Sequence, residues 1–461
     1  MKPAHIAVID VGKTNAKLAL VETAGLTEIA VVTRPNTVLE GQPYPHFDVE
    51  MIWAFLLDAL IAFQKQHRID AISITTHGAC GALIADDGSL AAPILDYECT
   101  GPDDVATAYD NLRPGFAETG SPRLPMGLNL GAQLHWQFHR DPDLRARTKA
   151  IVTYPQYWAY RLTGVVASDV SSLGCHTDLW NPHAAQFSSL VERLGIAGKI
   201  APARKAADVL GPILPHLAVQ TGLAADTPVH CGIHDSNASL LPHVLQRDPP
   251  FSVVSTGTWV IAMTVGGTAN CLDPARDTLI NVNAIGAPVP SARFMGGREF
   301  ELIRGGQDTP VSDELLVEMA IDGPMLMPAV VPESGPFQGR QFQWVGEVPE
   351  PGSAMRTAVL SFYLALMTAE CLSLTGHRGS IIVEGPFAVN PGFCGMLASA
   401  MDRPVFAANN ATGTSQGAAL LALEQGDLPQ LDEPAKCKPI NHAAFSKYAM
   451  RWRQAASQGQ L

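Results

Sequence analysis

The sequence is poor in charge, in aromatic residues and in paired cysteine motifs. Charged residues make up 16% of its 461 positions and aromatics 7%, against 47% apolar, so a large buried core is available to it. Basic residues are outnumbered, 31 Lys and Arg against 44 Asp and Glu, and the formal net charge of -13 argues against nucleic-acid binding, which needs basic surface to displace counterions. A few local amides and a metal can still attract a phosphorylated ligand against such a global field. No uncharged apolar run reaches the roughly 18 residues of a membrane span, and Met1 to His5 lead into a strand pattern without the apolar segment of a signal peptide. The eight cysteines include no CxxC pair, which fits buried free thiols better than a disulfide framework or a zinc site. A cytoplasmic chain that touches neither membrane nor nucleic acid is the expectation, with a homodimer left open.

Two familiar nucleotide fingerprints are missing as well. Gly12-Lys13-Thr14 suggests a P-loop, but Ala7 stands where the first glycine is needed and a strand pattern follows instead of a helix. No GxGxxG follows the first strand, which weakens a nicotinamide oxidoreductase reading.

What is present centres on residues 231–260. Asp235 heads an apolar helical run, a polar and proline-rich break covers Gln246 to Pro250, and Thr256-Gly257-Thr258 then joins two β-rich runs. A carboxylate before the break and a glycine turn after it are what phosphoryl transfer to an alcohol needs: a base on one side and a phosphate cradle on the other. From local sequence alone, Asp235 is equally a helix N-cap.

The chain exceeds what one hydrophobic core usually supports, so two domains are expected, 1–246 and 247–461. Residues 6–10 and 16–21 read as strands joined by a turn containing Gly12, Lys13, Thr14 and Asn15. Residues 251–255 and 259–265 repeat that pattern around Gly257, and an internal duplication accounts for it. Backbone N–H groups in such turns can face phosphate oxygens, although Lys13 is equally a solvated turn residue. His77 and Gly78 follow a buried strand at 71–75, the strand end where open α/β sheets bind ligands. Residues 355–374 read as a core helix. Later turns contain Gly385-Pro386-Phe387, Asn390, and 411–417 ending at Gly417.

In this order, Asp10 to Asn15, Tyr157 to Gly164, Gly232 to Asp235, Ser255 to Thr258, Gly385 to Asn390 and 413–422 resemble the FGGY carbohydrate kinases, of the actin, Hsp70 and hexokinase superfamily. The resemblance runs over nearly the whole chain, with Gly232-Ile233-His234-Asp235 most similar to rhamnulokinase and fuculokinase relatives. It implies an α/β fold of two ribonuclease-H-like lobes with an active-site cleft between them, the first binding sugar and the second nucleotide. It further implies ATP-dependent phosphorylation of a small ketose such as rhamnulose, fuculose or xylulose, with Asp235 as catalytic base and His77, Gly78 and His234 on the sugar. Asp10 would hold Mg²⁺ through water, and Gly12, Lys13, Thr14, Asn15, Thr256, Gly257 and Thr258 would face the phosphates of ATP. Gly385, Phe387, Asn390 and Gly417 would lie near adenine. Asp96, Glu98 and Thr100 stand where the family usually has an aromatic residue, a carboxylate and an arginine, so the sugar pocket departs from the pattern. The alternative from the same superfamily is an actin-like or Hsp70-like ATPase without a sugar substrate.

Overall fold

The computed structural model describes residues 2–269, 272–307, 309–408, 413–430 and 433–458; Cys271, Ala411 and Thr412 therefore lie outside the described residues. The chain forms two compact units. Residues Met1–Gln246, Ile280–Pro288 and Thr412–Gln430 build the first, and Arg247–Leu279, Val289–Ala411 and Leu431–Leu461 build the second.

In the first unit, β1 (His5–Val11), β2 (Asn15–Glu22) and β3 (Thr27–Pro35) form an antiparallel meander. Ile6 to Ile9 are fully buried, the continuous apolar run of a central strand, whereas β3 alternates in exposure as an edge strand does. Helix α1 (Val49–Gln66) starts where the Asp48 side chain accepts from the Met51 amide, and it buries Ile52, Leu56, Leu60 and Phe63 along one face. Strand β4 (Ala71–Thr76) then returns parallel to β1. Helix α2 (Tyr154–Thr163) stops at Gly164, whose φ of 74° is the left-handed cap expected there.

The sheet is completed by β5 (Val209–Pro212), β6 (Pro228–His230) and the short β7 (Ile233–His234), in the order β5-β6-β4-β1-β2-β3 with β7 also pairing β4. Pairing of β7 with β4 is parallel, Ile233 opposite Thr75 and His234 opposite Thr76. That register sets Asp235, which opens α3 (Asp235–Gln246), beside the Thr76-His77 end of β4. Helix Thr414–Ala419 packs on α3, and Ser73 Oγ donates to the Ala418 carbonyl at 2.6 Å.

In the second unit, β8 (Phe251–Thr256) and β9 (Val260–Val265) form an antiparallel hairpin, extended by β10 (Pro288–Phe294) beyond β9. Strand β11 (Ser380–Glu384) pairs parallel to β8, and β12 (Val405–Ala407) parallel to β11. Each unit thus sets a hairpin partner on one side of its first strand and a parallel strand on the other, the arrangement that duplication predicts. Helix α4 (Ala354–Leu374) is the one helix among the described residues with the length and apolarity to cross a membrane. Most of it is buried, and it packs with Phe362, Tyr363 and Leu366 in the core.

Candidate active site

Two sets of side chains emerge, one in each unit. The first gathers where β4 and β7 end. Asp235 takes the first turn of α3, where the helix dipole favours a carboxylate. Its side chain is 35% exposed while that of His234 is 9% exposed, so a reactant can reach the carboxylate but not most of the imidazole. His234 Nδ1 lies 3.0 Å from Asp235 Oδ1 and 2.9 Å from Ser236 Oγ, and the Ser236 amide donates to Asp235 Oδ1 at 2.6 Å. Burial works against the charge on Asp235, but the charge of His234 and its hydrogen bond outweigh burial and hold the carboxyl below its usual range.

His234 is itself supported from behind. Burial opposes its protonation, yet Cys175 and Asp235 raise it well above the ordinary histidine value. Burial likewise opposes a Cys175 thiolate, while the charges of His176 and His234 bring the thiol down to about 5. The His234 amide donates to Ser171 Oγ at 3.1 Å, and that hydroxyl is hydrogen-bonded to Asp169 Oδ2. Asp169 also accepts from the Ser172 amide at 2.9 Å, capping the short helix Val170–Leu173, and burial pushes its carboxyl up to about 6. Gln156 Nε2 donates to the Cys231 carbonyl at 2.8 Å and fixes the approach to β7. Sequence reasoning passed over Cys175 and Gln156 in this role, because their partners His234 and Cys231 are distant in the chain.

Gly78 is where the imidazole enters. A Cβ there would collide with His234 Cδ2, so the residue's contribution is space for that ring. His77 sits among the rings of Phe47, Tyr97 and Tyr154 at centroid distances of 5.3, 5.2 and 4.8 Å. Burial lowers it to about 4, which leaves the ring neutral at physiological pH.

The Gly12 turn closes with its amide donating to the Asn15 carbonyl at 2.9 Å, and Asn36 Nδ2 caps the Gly12 carbonyl at 2.8 Å. Thr14 and Asn15 are exposed on it, with their side chains 3.2 Å apart. Lys13 does not stay with the turn: its Nζ is paired with Asp96 and lies 3.0 Å from Glu98 Oε2. Asp10 Oδ2 accepts from Thr414 Oγ1 at 2.6 Å and lies 3.2 Å from Lys17 Nζ. Among the described residues no cluster of three or more His, Cys, Asp and Glu side chains could cage a metal. The single carboxylate of Asp10 fits a Mg²⁺ that arrives on nucleotide phosphates and keeps much of its water.

The second set lies in the second unit. Gly257 has no atom nearer than 3.9 Å to where a Cβ would be, and Thr258 beside it is exposed. Thr256, expected on phosphate, instead uses its hydroxyl within the protein, donating to the Glu384 carbonyl and accepting from the Phe387 amide at 3.1 Å. That places Gly385 against Thr256 at a φ of 82°, with its Cβ position blocked by the Thr256 carbonyl. Phe387 is not a free stacking face. It is 9% exposed and packs on Phe393 and Phe300, with centroids at 5.4 and 6.2 Å. Asn390 caps α5 (Pro391–Met401): Oδ1 accepts from the Phe393 amide at 3.0 Å and Nδ2 donates to Ser361 Oγ at 2.9 Å, so both amide atoms are engaged. Gly417, expected beside these residues, belongs to the first unit, where it lets its helix press on Ala238 of α3; a Cβ would strike the Ala238 carbonyl.

Residues 5–242 match the N-terminal domain of the FGGY family of carbohydrate kinases, and residues 248–430 match the carbohydrate kinase FGGY C-terminal domain. The chain is 25% identical over 275 residues to an L-fuculokinase of Salmonella typhi and 26% identical over 278 residues to one of Escherichia coli K12. These matches span 58% and 57% of both chains, so the chain spans little more than half the length of these relatives. A solved carbohydrate kinase from Novosphingobium aromaticivorans is 38% identical with a TM-score of 0.90, over 98% of this chain and 100% of that one. A xylulose kinase from Lactobacillus acidophilus shares the fold at 17% identity and a TM-score of 0.78, over 98% of each chain.

Proposed function

Because this chain belongs to the FGGY family of carbohydrate kinases, we propose that it transfers the γ-phosphoryl group of ATP to a hydroxyl of a small ketose, with Asp235 as the general base. The observation that carries this reading is the half-exposed Asp235 carboxylate, held in one orientation by His234 and Ser236 at the helix head. An alcohol is a poor nucleophile at neutral pH and needs a positioned acceptor for its proton. A carboxyl held below its usual range is a weak base, which suits a loose transition state: the acceptor oxygen is aligned first, and its proton leaves late, as the bond to phosphorus forms. The protonated His234 keeps the Asp235 carboxylate charged and turned toward the acceptor. Neutral His77 and the ring of His234 border the bound sugar.

The Gly12 turn, with Thr14 and Asn15, and the Gly257 turn, with Thr258, bind phosphate oxygens through backbone N–H groups. Packing and backbone angle support this for both glycines: neither has a positive φ, and at neither is the Cβ position blocked, so their missing side chains leave room for a ligand. Asp10 would hold the water shell of Mg²⁺, which neutralises phosphate charge when bound with ATP. The region of Gly385 lies near adenine through its backbone, since Phe387 and Asn390 are used within the fold. The L-fuculokinase names among the relatives favour a six-carbon ketose.

The test is ADP release by the purified protein with ATP and Mg²⁺ against a panel of ketoses and polyols. Strong stimulation by one sugar and a stoichiometric sugar phosphate are expected. Steady ATP hydrolysis that no sugar stimulates would favour an ATPase instead.

A further inference from the structure

A cavity of about 450 Å³ in the second unit contains none of the residues placed on sugar or nucleotide, and three arginines line it: Arg276, Arg340 and Arg453. The fold fixes each guanidinium. Arg276 Nε donates to the Pro336 carbonyl at 2.9 Å, and its Nη2 lies 2.7 Å from Glu370 Oε1. Arg340 Nη1 donates at 2.6 Å to the Ala456 carbonyl in the last turn of α6 (His442–Gln458). Arg453, one turn earlier on α6, donates through Nη2 to the Ala400 carbonyl at 2.8 Å. Arg276 and Arg340 also share the Phe337 ring, at 5.8 and 4.9 Å from its centroid. These bonds orient the three side chains yet engage at most two of the five N–H groups on each.

Capping a helix end accounts for one carbonyl contact each of Arg340 and Arg453, but not for three guanidiniums lining one cavity in a chain of formal net charge -13. Glu370 supplies the one carboxylate of the lining and is paired with Arg276, while Arg340 and Arg453 have no carboxylate partner among the described residues. We propose that this cavity is a second ligand site, and that it takes a small hydroxylated phosphate monoester. The two uncompensated positive charges match the dianion that such an ester carries near neutral pH. Guanidiniums brought by three separate stretches of chain suit a tetrahedral group with three free oxygens better than a planar carboxylate with two. The cavity has the size of a small-molecule site and holds more than a phosphate group, so the organic part enters as well. There the second oxygen of Glu370 and the exposed Gln338 can take hydroxyls. Because its residues are apart from Asp235 and the Gly12 and Gly257 turns, the inference does not rest on the phosphoryl-transfer reading.

Calorimetric titration of the full chain with glycerol phosphate, and with glycerate and glycerol as the matched carboxylate and neutral compounds, tests this. Saturating Mg²⁺ and a non-hydrolysable ATP analogue are present throughout, so that phosphate cannot register at the nucleotide turns. Glycerol phosphate should bind the wild type at least about tenfold more tightly than glycerate, and glycerol should not register. Arg340→Gln and Arg453→Gln should each weaken glycerol phosphate by about tenfold or more, the size of losing a charge-assisted hydrogen bond. Glu370→Gln, which removes the one negative charge, should tighten it by about threefold, a gain that general damage to the fold would not produce. A wild type that does not bind glycerol phosphate at about 10 mM overturns the inference. So does binding that both arginine variants leave unchanged, which would put the phosphate elsewhere, and so does glycerate bound as tightly as the phosphate. If one arginine variant fails to fold, the other decides.

Discussion

His234 Nδ1 and Asp235 Oδ1, adjacent in sequence, face each other at 3.0 Å across the junction of β7 and α3. A strand end feeding directly into a helix turns consecutive side chains to one side, and Gly78 leaves the space in which the imidazole lies. The His234 ring and the Ser236 amide then border the carboxylate, and His234 helps hold it below its usual range.

Asp235 is held below the ordinary carboxylate range, so its base form is present throughout neutral pH. The wild-type kcat/KM should therefore stay flat on the acid side from about pH 7 down to about pH 5, above the ordinary Asp value of about 3.9. His234→Gln removes the main charge holding the carboxyl down, and its acid limb should move to higher pH. A wild-type limb centred between about pH 6 and 7 would contradict the assignment of the base.

Two glycines of the second unit should respond in opposite ways. Gly257 has space for a Cβ and no positive φ, so Gly257→Val should leave the melting temperature nearly unchanged while raising the KM for ATP. Gly385 has a φ of 82° and its Cβ position meets the Thr256 carbonyl, so Gly385→Ala should destabilise the fold by about 1–3 kcal/mol. Thermal melts and nucleotide titration on both variants check this. Unchanged ATP binding by Gly257→Val would remove that turn from the site.

Glu299, fully buried, accepts hydrogen bonds from the Val331 amide at 3.1 Å and Tyr363 Oη at 2.9 Å, and burial pushes its carboxyl up to about 7. The folded chain keeps a proton that the unfolded chain releases near its usual value of about 4.3. Stability from this site is thus complete at low pH, declines as pH rises toward about 7, and is level above it. Glu299→Gln, which keeps a neutral side chain, should flatten the wild-type decline in melting temperature between about pH 5 and 7. An equal slope in the two proteins would show that Glu299 does not keep its proton.

Much of the frame was legible because it is local. The hairpins around Gly12 and Gly257 and the strand ending at Thr76 are written in short apolar runs and glycine placement within a few residues. Asp235 was legible for the same reason, as a carboxylate at a helix head. What was not legible depends on contacts across the chain. Asn390 and Phe387 looked like ligand groups, but a cap and a core are formed by partners such as Ser361 and Phe300 that no spacing announces. Gly417 joined the first unit because its backbone fits against Ala238, 179 positions earlier by subtraction of their numbers. The reach of Lys13 to Asp96 has the same character: a turn residue whose side chain direction is set by a carboxylate on a distant loop.

The most direct test of the account is the single-turnover rate of Asp235→Asn on the best sugar, with purified protein, saturating ATP and Mg²⁺. The amide keeps the shape of the carboxylate but cannot take the acceptor's proton. The rate should fall by about 10²- to 10⁴-fold, with sugar and ATP affinities little changed. A rate near that of the wild type would contradict it, whichever sugar proved to be the substrate.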